Sequence, residues 1–133
     1  MWTFGTGLAR RSLLLMALGG LALSVCAQDQ KYPDVVGVRV VERSPGMFDF
    51  DVTISSPYDT PSRYADGFRV MDEDGRTVFG VRPLGHDHAS EQPFTRDLYG
   101  VKLPAGVRKV VVQARDQQNG WGGGTKAVDL PGR

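Results

Sequence analysis

The segment from Phe48 to Ser55 alternates apolar and polar side chains without a break. The apolar members are Phe48, Phe50, Val52 and Ile54, and the polar members are Asp49, Asp51, Thr53 and Ser55. Successive side chains of a β-strand point to opposite faces, whereas a helix would distribute the two carboxylates around its axis. The segment therefore predicts a strand with one buried face, and the rest of the chain must supply what covers that face.

Six further segments carry strand patterns of the same kind. In the first of these segments, Val36, Val38 and Val40 share a face. The other five segments lie around Phe68 and Val70 and at residues 76–82, 94–101, 107–116 and 125–130. Turn residues such as Ser44-Pro45-Gly46 separate them. Residues 56–66 contain two prolines and are interpreted as a long loop, and residues 117–124 as a glycine-rich loop.

Short strands, frequent turns and the lack of a helical pattern predict an all-β fold, an immunoglobulin-like β-sandwich of about seven antiparallel strands. Residues 103–116, followed by Asn119-Gly120 and a final strand, resemble the closing hairpin of bacterial immunoglobulin-like and fibronectin type III-like modules. In those modules a proline-glycine turn leads into a valine-rich strand that ends in an aspartate and a polar loop. The resemblance covers about 30 residues, and it implies an architecture without implying a function.

The first 27 residues have the three-part organisation of an export signal. Arg10 and Arg11 form a positive region, and an apolar run of 11 residues follows from Leu13 to Leu23. That run is shorter than the roughly 20 residues that cross a bilayer, so we expect a cleaved signal peptide and no membrane span. Cleavage before Gln28 leaves residues 28–133 as one domain, in a periplasmic or secreted protein.

Two variants of this export signal stay open. Leu23-Ser24-Val25-Cys26 resembles a bacterial lipobox, in which Cys26 would carry a lipid, although Val25 stands where Gly, Ala or Ser is usual. The Arg10-Arg11 pair also resembles a twin-arginine signal for export of a folded protein, but an ordinary secretory signal accounts for it equally well.

The composition of the mature chain excludes several classes of function. Removing Arg10 and Arg11 reduces the 16 basic side chains to 14, against 15 acidic ones, so no basic surface marks nucleic acid as a partner. The single cysteine, Cys26, leaves with the signal, which excludes thiol catalysis and thiolate metal ligands. Superoxide reductase-like sites need a cysteine and several histidines, and no serine elbow or phosphate loop is present, so we expect a binding protein and not an enzyme.

Both histidines of the chain, His86 and His88, lie in one polar segment, residues 84–96. If the backbone there is extended, the two imidazoles project from one face with their Cα atoms about 6.5–7 Å apart. Two imidazoles in this relation can chelate copper or zinc, the only cofactors that this sequence indicates. Glu91 would be a third ligand, or Asp87 if the backbone is irregular.

The same segment permits other interpretations. It could bind a polar ligand without a metal, or be a solvated loop in which Asp87, Ser90 and Glu91 cap local turns. Arg96 could pair with Glu91 or Asp97, or it could bind the carboxylate of a ligand.

An alternative function rests on aromatic side chains in two other loops. Trp121, Tyr58 and Tyr64 could bind a carbohydrate or a partner surface, as in an adhesion or assembly module. In an immunoglobulin-like sandwich their loops would lie at the same end. Acidic residues 72–74 are interpreted as a hairpin turn rather than a calcium loop, and Asp49 and Asp51 as a solvated face. We expect a monomer whose partner, a protein or a small ligand, the sequence does not identify.

Overall fold

Seven β-strands form the regular structure of residues 30–133, the part of the chain that the computed structural model describes. The strands are β1 (Asp34–Ser44), β2 (Met47–Ser55), β3 (Ala65–Met71), β4 (Val78–Pro83), β5 (Phe94–Lys102), β6 (Lys109–Asp116) and β7 (Gly120–Asp129). No helix occurs among these residues. The predicted export signal at residues 1–27, including Cys26, lies outside the described residues.

The strands form two antiparallel sheets. One has three strands in the order β1-β2-β5, and the other has four in the order β4-β3-β6-β7. The chain therefore passes from one sheet to the other after β2, after β4 and after β5, which is the crossing pattern of a sandwich. The prediction of an all-β fold with about seven antiparallel strands is confirmed.

The core lies between the inner faces of the two sheets. Phe48, Phe50, Val52 and Ile54 of β2 are fully buried, and Phe68, Val70, Phe94, Val110, Val112 and Ala114 pack in the same cluster. Burying one such side chain of the size of Val or Phe contributes about 1.5–3 kcal/mol. The alternation that predicted β2 and β6 is thus the alternation that builds the core.

The face predicted for β1 is wrong at its first position. Val36 is exposed, and Val35 is buried in its place. The cause is a register shift between Val35 and Gly37 in the pairing with β2, because a β-bulge reverses the side to which the following residues point. Val38 and Val40, beyond the bulge, pack against the core as predicted.

Residues 120–124 were predicted to be loop, but they are the first half of β7. The N-terminal segment lies directly over these glycines: a Cβ atom on Gly122 would be 2.5 Å from the ring of Tyr32, and one on Gly123 would overlap the carbonyl oxygen of Pro33. Asp34 also accepts a hydrogen bond from the amide of Gly124. Glycine is required here by the close approach of another segment and, at Gly123, also by its positive φ of 80°.

Four stretches of irregular chain lie at one end of the sandwich, which we call the loop end: residues 31–33, 56–64, 84–93 and 117–119. The antiparallel order brings them together, and hydrogen bonds join them. The Gln117 amide donates to the Tyr64 carbonyl, and the His88 amide donates to Asp59. The connections after β2 and after β6 share an end as predicted, although Trp121 itself lies in β7 and not in the loop. The histidine loop, residues 84–93, lies at that same end.

Candidate functional site

The two histidines lie side by side in the histidine loop, which is irregular and not extended. Their ring centroids are 4.9 Å apart and the ring planes are inclined by 36°. His86 is exposed, whereas His88 is only 5% exposed. The ring of His88 stacks on Phe94 with centroids 3.9 Å apart and planes nearly parallel, at 11°. The first residue of β5 therefore provides the surface on which one imidazole is held.

The backbone of His88 is held by two side chains that sequence reasoning missed. Its amide donates to Oδ2 of Asp59 at 3.0 Å, and its carbonyl accepts from Nε2 of Gln92 at 3.0 Å. Asp59 also accepts from the Ala65 amide through Oδ1, so one buried carboxylate joins the 56–64 loop to the histidine loop. An aspartate in a proline-containing stretch is typical of a turn, and its sequence context carries no signal of this longer-range role.

The imidazole of His88 has no hydrogen-bond partner. Both Nδ1 and Nε2 are buried, and neither makes a hydrogen bond within residues 30–133. Burial, followed by the positive charge of Arg96 and the proximity of His86, lowers the pKa of His88. The ring is therefore neutral near pH 7, with one nitrogen lone pair that accepts no hydrogen bond within residues 30–133.

Glu91 and Arg96 form an ion pair beside the histidines. Nη2 and Nη1 of Arg96 lie 3.0 and 3.3 Å from the two carboxylate oxygens, a bidentate arrangement. The hydrogen bond from Arg96 lowers the pKa of Glu91. This is the structural role foreseen as one option for Arg96. The predicted third ligand is thus engaged elsewhere, and within residues 30–133 no group of three His, Cys, Asp or Glu side chains is arranged to hold a metal ion.

Tyr58 belongs to a buried network around Asp116 at the loop end. Asp116, 1% exposed, accepts from the Tyr58 hydroxyl at 2.6 Å, from Nε of Arg63 at 3.1 Å and from the amides of Gln118 and Asn119. The Arg63 guanidinium also lies 4.0 Å from the centre of the Tyr58 ring. Burial alone would raise the pKa of Asp116, but these hydrogen bonds outweigh it and lower the pKa. Burial and the bond to Asp116 raise the pKa of Tyr58.

Neither Asp116 nor Asp97 orients an imidazole. All described partners of Asp116 belong to the network around Tyr58. The nearest described ion-pair partner of Asp97 is Arg82, at 3.8 Å. Neither carboxylate hydrogen-bonds to His88, whose ring nitrogens have no partner.

Trp121 packs on the outer face of the four-stranded sheet. The guanidinium carbons of Arg69 and Arg115 lie 4.2 and 5.0 Å from its ring centre, and each arginine is held in turn, by Gln113 and by Asp66. Tyr64 is half-buried, and its carbonyl accepts from the Gln117 amide. The structure therefore brings Tyr58 and Tyr64 to the loop end, whereas the ring of Trp121 packs against Arg69 and Arg115 on the sheet.

The acidic segment at residues 72–74 lies at the opposite end from the histidine loop. Oδ1 of Asp72 accepts from the amides of Arg76 and Thr77, at 2.9 and 3.1 Å, which is the hairpin turn that was predicted. An open depression of about 280 Å³ lies between this turn and residues 106–109. Its lining mixes acidic and basic side chains, and it has no histidine.

Comparison with known proteins finds a relative that is similar over part of its length. No protein-family model matches the chain, and no solved structure matches it. A protein of Halomicrobium mukohataei described as "Putative lipoprotein" is 35% identical over 101 residues, which are 76% of this chain and 49% of that protein. The chain thus spans about half the length of the relative it matches. Within residues 30–133 no helix has the length and apolar character to cross a membrane.

Proposed function

We propose that this chain is an exported binding module of immunoglobulin-like architecture that binds a transition metal, copper or zinc, through His86 and His88. The observation that carries the proposal is the pair of buried, unpartnered ring nitrogens of His88, in a ring 4.9 Å from that of His86. A buried polar group without a partner costs about 1–3 kcal/mol, and a metal ion would remove that cost.

The spacing of the two rings supports a shared ion. Imidazole nitrogens bind zinc at about 2.0–2.1 Å, which puts the centroids of two such rings roughly 5–6.5 Å apart, depending on the angle at the metal. The observed 4.9 Å is within a small side-chain rotation of this range. His86 is exposed, so its ring can make that rotation, while the stacking on Phe94 fixes His88.

Titration calorimetry with Cu(II) and with Zn(II) on residues 28–133 tests the proposal. We expect one equivalent of metal to bind to the wild type, a loss of at least tenfold in affinity for His86→Ala, and no measurable binding for His88→Phe. Phenylalanine at position 88 keeps a ring on Phe94, so the variant should stay folded by circular dichroism. Ser90→Ala, in the same loop, is the control and should bind as the wild type does, because Ser90 is exposed and is not a candidate ligand.

The proposal fails if the His86→Ala, His88→Phe double variant binds metal as tightly as the wild type. It also fails if the wild type binds none of Cu(II), Zn(II) and, under anaerobic conditions, Cu(I). In both cases the histidine loop would be a structural loop in which His88 serves only to pack against Phe94.

We further infer that the protein is retained at the cell envelope by a lipid on Cys26. The lipobox-like Leu23-Ser24-Val25-Cys26 supports this, as does the description of the relative as a lipoprotein. Mass spectrometry of the protein recovered from the membrane and the soluble fractions of a bacterial host tests it: the protein should be in the membrane fraction, with a lipidated Cys26 as its N-terminus. An N-terminus at Gln28 would identify a soluble exported protein instead.

The alternative, an adhesion or carbohydrate-binding module using Trp121, Tyr58 and Tyr64, draws less support from the geometry. The hydroxyl of Tyr58 is committed to Asp116, and one face of its ring lies against Arg63. The ring of Trp121 lies against Arg69 and Arg115. These contacts therefore do not favour the binding of a sugar to the flat faces of the Tyr58 and Trp121 rings.

A further inference from the structure

The carboxylate nearest to the histidine pair in sequence is withheld from it by an arginine. From this we infer that Arg96 determines which metal the site accepts. While Arg96 holds Glu91, the site offers two imidazoles, which suits monovalent copper and leaves Zn(II) short of donors. The inference rests on the proposed function and names the ion that the same site would select.

Glu91 lies within reach of the histidines. Its amide donates to the carbonyl of His88 at 3.0 Å, so a single turn separates the two residues. Its carboxylate nevertheless points to Arg96, which binds both oxygens. Arg96 is held in addition by the carbonyl of Thr95, at 2.7 Å, and lies 5.6 Å from the ring of Phe94. The arginine therefore has several contacts of its own that keep it, and with it Glu91, in place.

The donor count separates the two metals. Zn(II) sites in proteins are almost always four-coordinate, with three or four protein ligands. Two imidazoles alone fall short of that number, whereas monovalent copper is stable with two nitrogen ligands, and imidazole is a suitable ligand for copper. The surroundings of the site also favour monovalent copper. The Phe94 ring excludes water on one side of His88, and the positive charge of Arg96 repels a divalent ion more than a monovalent one.

The test compares Zn(II) and Cu(I) affinities in the wild type and in Arg96→Gln. Cu(I) is measured anaerobically by competition with a coloured chelator, and Zn(II) by calorimetry. In Arg96→Gln the carboxylate of Glu91 is released and can complete a three-ligand set, so we expect Zn(II) affinity to rise at least tenfold with little change for Cu(I). The Arg96→Gln, Glu91→Gln double variant should lose the gain, and Arg96→Lys, which keeps the positive charge, should show at most part of it.

The outcomes separate this inference from the function on which it rests. A wild type that binds none of Cu(I), Cu(II) and Zn(II) overturns both, and one that binds Cu(II) but not Cu(I) overturns the selectivity inference alone. A wild type that binds Zn(II) as tightly as Arg96→Gln does, with binding lost in the histidine variants, overturns the selectivity inference and leaves the metal site standing. Glu91→Gln alone gives a second measure if Arg96→Gln does not fold: it should leave Cu(I) affinity unchanged, and a tenfold loss would show that Glu91 is already a ligand.

Discussion

Asp116 shows how one buried charge is stabilised at the loop end. A carboxylate that is 1% exposed would be destabilising without partners, but here a hydroxyl, a guanidinium and two amides donate to it. Because these donors lie on different loops, the carboxylate joins residues 56–64 to residues 117–119. The network accordingly serves the fold, and its arginine and tyrosine are not exposed for binding.

We predict that Asp116→Asn lowers the free energy of unfolding at pH 7 by about 3 kcal/mol, because Arg63 loses the charge that it pairs with. The difference from the wild type should shrink in acid. The pKa of Asp116 is lowered below its ordinary value of 3.8 in the folded protein, so the unfolded chain takes up the proton first. The contribution of Asp116 is therefore complete above about pH 3.8 and declines as the pH falls through the folded pKa.

Urea denaturation of both proteins between pH 2 and pH 7 measures this difference. Asp129→Asn is the control, since that carboxylate is 85% exposed and should give a difference near zero at every pH. A constant difference between Asp116→Asn and wild type would contradict the prediction.

The sequence predicted which residue types carry the chemistry of the histidine loop, but not their surroundings. His86, His88, Glu91 and Arg96 are grouped in the structure as they are in the chain. That His88 is buried on Phe94 could not be inferred, since an imidazole beside Asp87 and Ser90 has the pattern of a solvated loop. Asp59 and Gln92, which fix its backbone, make contacts that depend on the fold and have no local motif.

At the scale of single elements, β7 depends on the segment that crosses it. The ring of Tyr32 occupies the space above Gly122, and the carbonyl of Pro33 occupies the space above Gly123. Gly122, Gly123 and Gly124 leave room for residues 32–34, which close the side of the sandwich between β1 and β7. A glycine run that resembles a flexible loop is in this case a contact surface.

We predict that Gly122→Ala lowers the free energy of unfolding by about 2 kcal/mol or more, because the new methyl group would lie 2.5 Å from the Tyr32 ring and one segment must move. Gly106→Ala is the matched control: nothing lies within 4 Å of a Cβ atom there, so it should change the stability by less than about 0.5 kcal/mol. Thermal denaturation of the two variants decides, and equal melting temperatures would contradict the packing described for β7.

The sequence predicted a strand correctly where the alternation of its own side chains determines its position and inward face. It predicted a strand wrongly where contact with another segment determines them. The patterns of β2 and β6 needed only their own residues. The inward face of β1 depends on a bulge at Val35, and the extent of β7 depends on Tyr32 and Pro33. Both departures result from pairing or packing with another segment, which the period-two pattern of the strand itself does not contain.

At the scale of the whole molecule, the carboxylate of Asp59 connects Ala65, at the start of β3, to His88 in the histidine loop. We predict that Asp59→Ala reduces metal affinity at least tenfold and speeds hydrogen exchange across residues 84–93, since the amides of His88 and Ala65 both lose their acceptor. Hydrogen-exchange mass spectrometry and metal titration measure the two effects. Ser90→Ala is the control in the same loop, because Ser90 is exposed and is not a candidate ligand. Unchanged exchange in Asp59→Ala would show that the histidine loop is held by other contacts.

The arrangement of the connections also has a practical use. The histidine loop lies away from the tight turns at residues 44–47 and 72–77. It also lies away from the C-terminal residue Arg133, whose guanidinium donates to the carbonyls of Val107 and Leu103. A biotin placed on a cysteine introduced at Glu73 would immobilise the protein on a sensor surface with its histidine loop directed toward the solution. Binding kinetics could then be recorded without the handle obstructing the ligand's approach.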